Sequence, residues 1–347
     1  MIRVAILGGG IGAQHLDAYN ALDGFKVTHL ADQDDQRRNA LCGTAVIGLS
    51  DIDDAINADV DVIDICLPPH LHAPVAIAAL QAGKHVICEK PLGTSMAQVD
   101  AIRAAARDAG KQVFPVFQYR FGPAFDQLAA LQEAGLAGAP RAAALETHWN
   151  RGADYYAIPW RGTWAGEQGG AVLGHAIHAH DLLGTFMAPI AGVTARLGTL
   201  VNSIETEDTA ALIFDLAGGA LATSSITLGN AQDETRLRLV YEHLTATSHT
   251  NPYAPASSAW TFAARNPADQ PKVDAVIAAT PSGPSGFAGF LNEVAKALND
   301  QDNTAVTLAD GAASIALVTA IYASDRSGVR VALPLPSDHD LYNGWQP

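Results

Sequence analysis

The chain has 347 residues, which at ~150 residues per domain points to two domains. A hydrophobic fraction of 48% with only 16% charged residues supplies a large core and excludes wholesale disorder. The net charge of −15 makes nucleic acid and anionic membrane surfaces poor partners, although a helix N-terminus still binds a small anionic cofactor locally.

The first ~120 residues alternate short β-branched runs with helical stretches. The predicted strands are Ile2–Leu7, Lys26–Ala31, Val60–Leu67, His85–Cys88 and Gln112–Phe117. The predicted helices are Ala13–Leu22, Asp35–Leu41, Ala73–Ala82 and Ser95–Ala109. The strands are almost continuously apolar, as strands covered on both faces are, so the fold class is α/β with a doubly wound parallel sheet. After Phe121 the rhythm changes. A helix is predicted at Pro123–Ala134, then an extended stretch, then a helix near Ala176–Met187 behind the glycine-rich Gly166–Gly170. Successive strands at Gly192–Val201, Ala210–Asp215, Ala220–Thr227, Leu237–Glu242 and Ala259–Phe262 suit an open, mostly antiparallel sheet. The segment Asn251–Gly286, rich in Pro, Ser and Ala, is read as a loop or surface excursion. Helices follow at Phe287–Asn299 and Ala309–Ser324. The expected domains are residues 1–120 and 121–347, divided on the change of pattern alone.

Three cysteines without CxxC spacing argue against a disulfide framework or zinc knuckle. No apolar run approaches the ~18 residues of a membrane span. The opening Met-Ile-Arg-Val-Ala-Ile-Leu lacks the zones of a signal peptide. These readings lead to the expectation of a cytoplasmic protein.

The first strand runs into Gly8-Gly9-Gly10-Ile11-Gly12-Ala13, a G-x-G-x-x-A turn between strand and helix. Gly8 permits the tight turn, Gly10 lets backbone approach a pyrophosphate, and Ala13 is small enough for the helix to lie on the strand. The second strand ends at Asp32, whose carboxylate accepts from ribose hydroxyls and repels a 2′-phosphate; NAD is expected over NADP. Arg37 and Arg38 lie nearby and keep NADP open. Two further strands end at Cys66-Leu67-Pro68-Pro69-His70-Leu71-His72 and Cys88-Glu89-Lys90-Pro91, at the carboxyl edge where ligands of such sheets bind. Lys90 there is either a crevice-facing lysine or a surface partner of Glu89.

Together these motifs resemble the Gfo/Idh/MocA oxidoreductases. Gln118-Tyr119-Arg120-Phe121 is similar to that family's segment at the domain junction. Gly169-Gly170-Ala171-Val172-Leu173-Gly174-His175-Ala176-Ile177-His178, followed by Asp181-Leu182-Leu183, resembles its Gly-Gly-x-x-x-Asp-x-x-x-His-x-x-Asp-Leu-Leu stretch. The resemblance implies a Rossmann domain and a C-terminal α/β domain whose sheet forms the face of a homodimer or homotetramer. It implies transfer of hydride between nicotinamide and a secondary alcohol or ketone of a sugar, inositol or related polyol. It assigns Lys90 as the active-site lysine and His178 as the active-site histidine. It places Ile11, Gly12, Leu67, Pro68, His72, Glu89 and Gln118 along the cofactor beside Gly8, Gly10, Ala13 and Asp32. The chain departs from the pattern at Gly174, where the family carries an aspartate; His175 is adjacent and is expected to take part of that role.

Alcohol oxidation needs a base near neutral pH. Histidine, with an unperturbed pKa near ~6.5, suits the task. Lysine starts near ~10.4 and, left protonated, stabilises the developing alkoxide. His178 is therefore assigned as acid/base, with Lys90 as electrostatic partner and proton donor. The aromatic and arginine-rich Trp149–Gly162 segment suits a sugar pocket, with Tyr156 and Arg161 as substrate-side residues. Two alternatives stand beside this reading. One is a metal-dependent hydrolase built on His70, His72, His175, His178, His180 and Asp181. On a helix, however, His178 and His180 project ~160° apart, and His180 is expected on the outer side or in a capped contact. The other is a cofactor-binding protein without turnover.

Overall fold

The computed structural model describes residues 1–347 as two compact units, Met1–Phe117 with Phe287–Ile315, and Gln118–Gly286 with Ala316–Pro347. The chain thus returns to its first unit after residue 286, which the pattern change near residue 120 does not announce.

In the first unit six parallel strands are ordered β3-β2-β1-β4-β5-β6: β1 (Ile2–Leu7), β2 (Phe25–Ala31), β3 (Ile47–Leu49), β4 (Val62–Ile65), β5 (His85–Cys88) and β6 (Val113–Pro115). The connecting helices are α1 (Gly9–Asn20), α2 (Asp35–Cys42), α3 (Ile52–Ile56), α4 (Pro69–Gln81) and α5 (Met96–Ala109). Parallel strands must be joined by crossovers, and these bury both faces of the sheet. Accordingly Val4, Ala5, Ile6, Leu7 and Val62, Ile63, Ile65 are fully buried on successive positions rather than alternate ones. Short β3 and α3 escape the sequence reading; β3 is a three-residue edge strand with Ile47 and Gly48 exposed. The returning segment adds α10 (Gly286–Leu298) and the first turns of α11 (Leu308–Ser327). Phe287 sets its ring 4.5 Å from that of His15, and Leu308 packs on the Ile63–Val86–Ile102 core.

The second unit carries an eight-stranded sheet ordered β13-β12-β11-β7-β10-β9-β8-β14. Its strands are β7 (Pro140–Asn150), β8 (Ile190–Gly198), β9 (Thr209–Leu216), β10 (Leu221–Thr227), β11 (Gly229–Tyr241), β12 (Leu244–Thr247), β13 (Thr261–Ala264) and β14 (Val331–Ala332). All neighbours are antiparallel except β7 and β10, so the sheet is mixed but mostly antiparallel. Its helices are α6 (Pro123–Glu133), α7 (Ala153–Tyr156), α8 (Ile177–Phe186) and α9 (Gln270–Ala279). β9 alternates buried Ala210, Leu212 and Phe214 with outward residues, the period of a half-covered sheet. Two expectations need correcting. The unassigned extended stretch is β7, which lies inside the sheet. The Pro/Ser/Ala-rich segment is not simply a loop: beside β13, which overlaps the strand expected at Ala259–Phe262, it holds α9, which buries only Val273. No helix is long and apolar enough to cross a membrane.

Candidate active site

The first unit builds a cradle at the carboxyl edge of its sheet. Gly8 has φ +96°, and a Cβ on it would stand 2.4 Å from the Cys66 carbonyl, so this turn admits only glycine. Gly12 takes the close-packing role expected of Ala13: a Cβ there would meet Ile6 at 2.8 Å, whereas Ala13 is half-buried. Gly10 is exposed, and a Cβ on it would meet nothing within 4 Å. Gly8 at the N-cap of α1 has no side chain and the first turn has no acid; Asp32 takes the Gly9 N–H, and the helix end opens at Gly10 and Ile11. This helix end is a cradle into which a pyrophosphate fits.

Asp32 is fastened beside that turn. One carboxylate oxygen accepts from Gly9 N–H at 2.6 Å and from Arg37 at 3.1 Å; the other accepts from Asp34 N–H at 2.8 Å. Arg37 also reaches Asp34, and Arg38 bonds the Asp32 carbonyl and Asp35, so acidic partners hold both arginines. His72, expected along the cofactor, is buried with both ring nitrogens 2.6 Å from backbone carbonyls, those of Pro91 and Leu67. It ties the two strand-end segments together, and burial draws its pKa down against the pull of those carbonyls. Leu67, Pro68 and Lys90 are half-buried at those strand ends, and Lys90 donates its backbone N–H to Glu89 at 3.1 Å.

Beneath the cradle lies a polar cluster that the sequence reading missed. His15 on α1 sits 2.9 Å from Asp64 and 3.1 Å from Glu89, all three buried, and Tyr19 donates to Asp64 at 2.9 Å. Burial, the largest single effect, opposes charge on the imidazole, but Asp64 and Cys66 together outweigh it and His15 titrates well above its ordinary range. Glu89 is correspondingly held low: burial, the largest effect, works to raise it, and the bond and charge of His15 with the charges of Lys90 and His72 together reverse the sign. His15, Asp64 and Cys66 also have the spacing of a metal site, but both ring nitrogens of His15 face carboxylates.

The second unit builds a histidine-bearing helix. Val172–Ala176 form a π-helical turn that runs directly into α8. Glu207 anchors its start: the carboxylate accepts from Gly170 N–H, Val172 N–H (3.0 Å) and the Tyr322 hydroxyl (2.8 Å), while its carbonyl accepts from Ala171 N–H (2.8 Å). Burial nevertheless pushes Glu207 up to about 7. His178 is buried and stacked on Tyr119, ring centroids 4.2 Å apart and 16° from parallel. Arg120 grips Asp181 through two bonds of 2.7 and 2.5 Å, so the Gln118–Phe121 segment clamps α8 from outside. Gln118 itself is half-buried, with a buried amide oxygen that no group of the chain meets.

The expected substrate residues gather in part. His175 is buried edge-on to Trp149 at 5.1 Å and tilted toward Tyr155 at 5.7 Å. Arg161 lies 3.8 Å over the Tyr155 ring, and Tyr156 packs edge-on against Tyr155. Tyr155, which the sequence reading did not single out, therefore joins His175, Tyr156 and Arg161. His180 is not on an outer face: it is buried and bonds Ser224 at 3.0 Å. Of the groups named for a metal-dependent hydrolase, His180 is engaged by Ser224, Asp181 by Arg120 and His72 by backbone, each within its own unit.

Residues 2–117 match the model of an oxidoreductase family with an NAD-binding Rossmann fold, and residues 125–247 match the GFO/IDH/MocA C-terminal domain. The chain is 37% identical over 147 residues to an inositol 2-dehydrogenase of Rhodococcus erythropolis, covering 40% of this chain and 42% of that one. It is 29% identical over 191 residues to an uncharacterized oxidoreductase of Synechocystis, 49% of each chain. The matched stretch therefore spans less than half the length of either curated relative. Among solved structures, the WlbA dehydrogenase of Bordetella pertussis in complex with NADH and UDP-GlcNAcA superposes with a TM-score of 0.84, at 28% identity over 96% of this chain and 98% of that one.

Proposed function

The chain belongs to the Gfo/Idh/MocA family of oxidoreductases, and from that premise we propose that it is an NAD-dependent dehydrogenase of a secondary alcohol on a sugar, cyclitol or related polyol. The observation that carries this reading is the N-terminus of α1, open at Gly10 and with the Asp32 carboxylate fastened to the Gly9 N–H beside it. Bound there through its pyrophosphate, the nicotinamide cofactor supplies hydride acceptance and donation.

The chain's own residues handle the remainder. Gly8, Gly10, Ile11 and Gly12 present backbone to the phosphates, and Asp32 faces the adenosine ribose. Lys90 holds an ammonium that stabilises the alkoxide as the hydroxyl proton leaves. His178 receives that proton, its ring held in one plane by Tyr119. Tyr155, Tyr156, Arg161 and His175 offer flat faces and polar groups of the kind that bind a sugar. The likeness to WlbA across the whole chain adds nucleotide-linked sugars to the inositols, aldoses and glycosides that merit assay.

Self-association is part of the same proposal. The outward face of the eight-stranded sheet exposes Ile213 at 54% and Leu221 at 56% on neighbouring strands, an apolar surface that suits a homodimer or homotetramer. Light scattering measures it, and a monomer unaffected by Leu221→Glu would refute it. The three buried free cysteines fit a reducing, cytoplasmic setting.

The test of function is a panel of inositols, aldoses, glycosides and UDP-GlcNAcA with NAD and NADP, read by reduced-nicotinamide absorbance. Turnover with NAD that collapses by about 10²-fold or more in Lys90→Ala and His178→Ala is the expected result. Tight NADH binding with no turnover on the whole panel would instead identify a binding protein.

A further inference from the structure

A carboxylate stands against the histidine helix at a point where the helix itself bears no side chain. Gly174 lies four residues before His178, a spacing that keeps the two on nearly one helix face. The nearest atom to a Cβ built on Gly174 is Glu167 Oε1, at 3.7 Å. Glu167 is only 6% exposed and rises from the loop that leads into the glycines before the helix. Its other oxygen accepts the Gly162 N–H at 2.6 Å, so backbone fixes one oxygen while the second turns toward the helix. The acid on α8 itself, Asp181, is committed to Arg120.

Glu167 also belongs to the aromatic group described above. Burial raises the phenol pKa of both Tyr155 and Tyr156, and the Glu167 charge is the next contributor at each. Tyr155 in turn lies under Arg161. One buried carboxylate thus sits among the tyrosines and the arginine and against the face that carries the histidine.

We propose that Glu167 is a catalytic carboxylate that accepts a hydrogen bond from a substrate hydroxyl beside His178 and stabilises the imidazolium formed there, supplied across space from a loop to the gap left by Gly174. This rests on the dehydrogenase reading and deepens it. In the oxidative direction the carbinol C–H bond breaks and its electron pair leaves with hydride to oxidised nicotinamide. The O–H proton passes to His178, a C=O bond forms, and Glu167 keeps its charge throughout. At Gly174 a Cβ would meet the Glu167 oxygen at the ordinary contact distance of 3.7 Å, so an acidic side chain there, rather than a small one, is what would oppose Glu167.

The test uses the full chain and three variants: Glu167→Gln, Gly174→Asp and the double variant. Glu167→Gln keeps the acceptor for Gly162 N–H and is expected to bind NADH normally while losing tenfold or more in kcat/KM. The acidic limb of its pH–rate profile is expected to move down by about one unit, because the histidine loses a neighbouring negative charge. Gly174→Asp sets two carboxylates together and is expected to be impaired alone, while the double variant regains most of the lost activity. Full activity with an unmoved profile in Glu167→Gln, or a double variant no better than it, overturns the proposal. The imidazole titration of His178, followed by nitrogen-15 NMR of histidine-labelled protein, tests the same coupling without turnover. A wild-type chain that turns nothing over therefore sinks the dehydrogenase reading alone, while an unmoved titration sinks the role of Glu167.

Discussion

His15 and Glu89 meet in the buried layer beneath the glycine turn, ring nitrogen to carboxylate oxygen at 3.1 Å, and Glu89 in turn accepts the backbone N–H of Lys90. An imidazolium shared with Asp64 is what makes two buried carboxylates tolerable in this core. Replacing His15 by Leu leaves both acids without that charge and is expected to cost about 3–5 kcal/mol. Because His15 titrates above its ordinary range, its contribution is complete below about pH 6.5 and fades only as pH climbs through the raised value. Chemical denaturation followed by far-ultraviolet circular dichroism measures both; a loss under about 1 kcal/mol at pH 6 would contradict this account.

Asp32 sets the cofactor preference and keeps Arg37 engaged. Asp32→Ser removes the charge that repels a 2′-phosphate and releases the Arg37 guanidinium to bind one. The ratio of NADPH to NADH affinity is expected to rise by about tenfold or more. Nicotinamide fluorescence titration of both cofactors reads this ratio, and an unchanged ratio would remove Asp32 from cofactor choice.

Glu207 links stability to pH. Its carboxyl is pushed up to about 7 in the folded chain from an ordinary 4.5. Between those values the folded chain holds a proton that the unfolded chain has released, so stability falls as pH rises from 4.5 to 7. The size of the effect is about 3 kcal/mol at most. Glu207→Gln abolishes that slope while keeping one acceptor. All five tryptophans lie in the second unit, so their fluorescence follows its unfolding directly. A wild-type-minus-variant difference that stays flat from pH 5 to 7.5 would count against it.

Gly170 is the tightest contact in that neighbourhood. A Cβ on it would come within 1.9 Å of the Glu207 carbonyl. Gly170→Ala must therefore push the histidine helix away from its anchor, at an expected cost above about 3 kcal/mol. The same tryptophan signal reads it, and wild-type stability would show that the helix start has room to move.

Much of this was legible from residues alone, for reasons that differ by unit. The parallel strands of the first unit announce themselves because both faces are buried and nearly every residue is apolar. The glycine turn is legible because Gly8 sits where only glycine fits. β7 escaped because Ala142 and Ala144 blur the alternation that marks a half-covered strand. Ala13 was given a packing task that Gly12 performs, since the motif's spacing does not say which small residue touches Ile6. Glu167 and Glu207 carry no local signature. Each matters through a backbone group or side chain that only tertiary folding brings near.

The π-helical turn before α8 has an evolutionary corollary. Such a turn is one surplus residue lodged in an otherwise regular helix. Deleting Leu173 or Ala176 would let the segment rewind to ordinary pitch, with the helix start and His178 keeping nearly the same relative orientation across one residue fewer. A three-nucleotide loss at Leu173 or Ala176 is thus a lesion this helix absorbs more readily than the addition of one methyl group at Gly170.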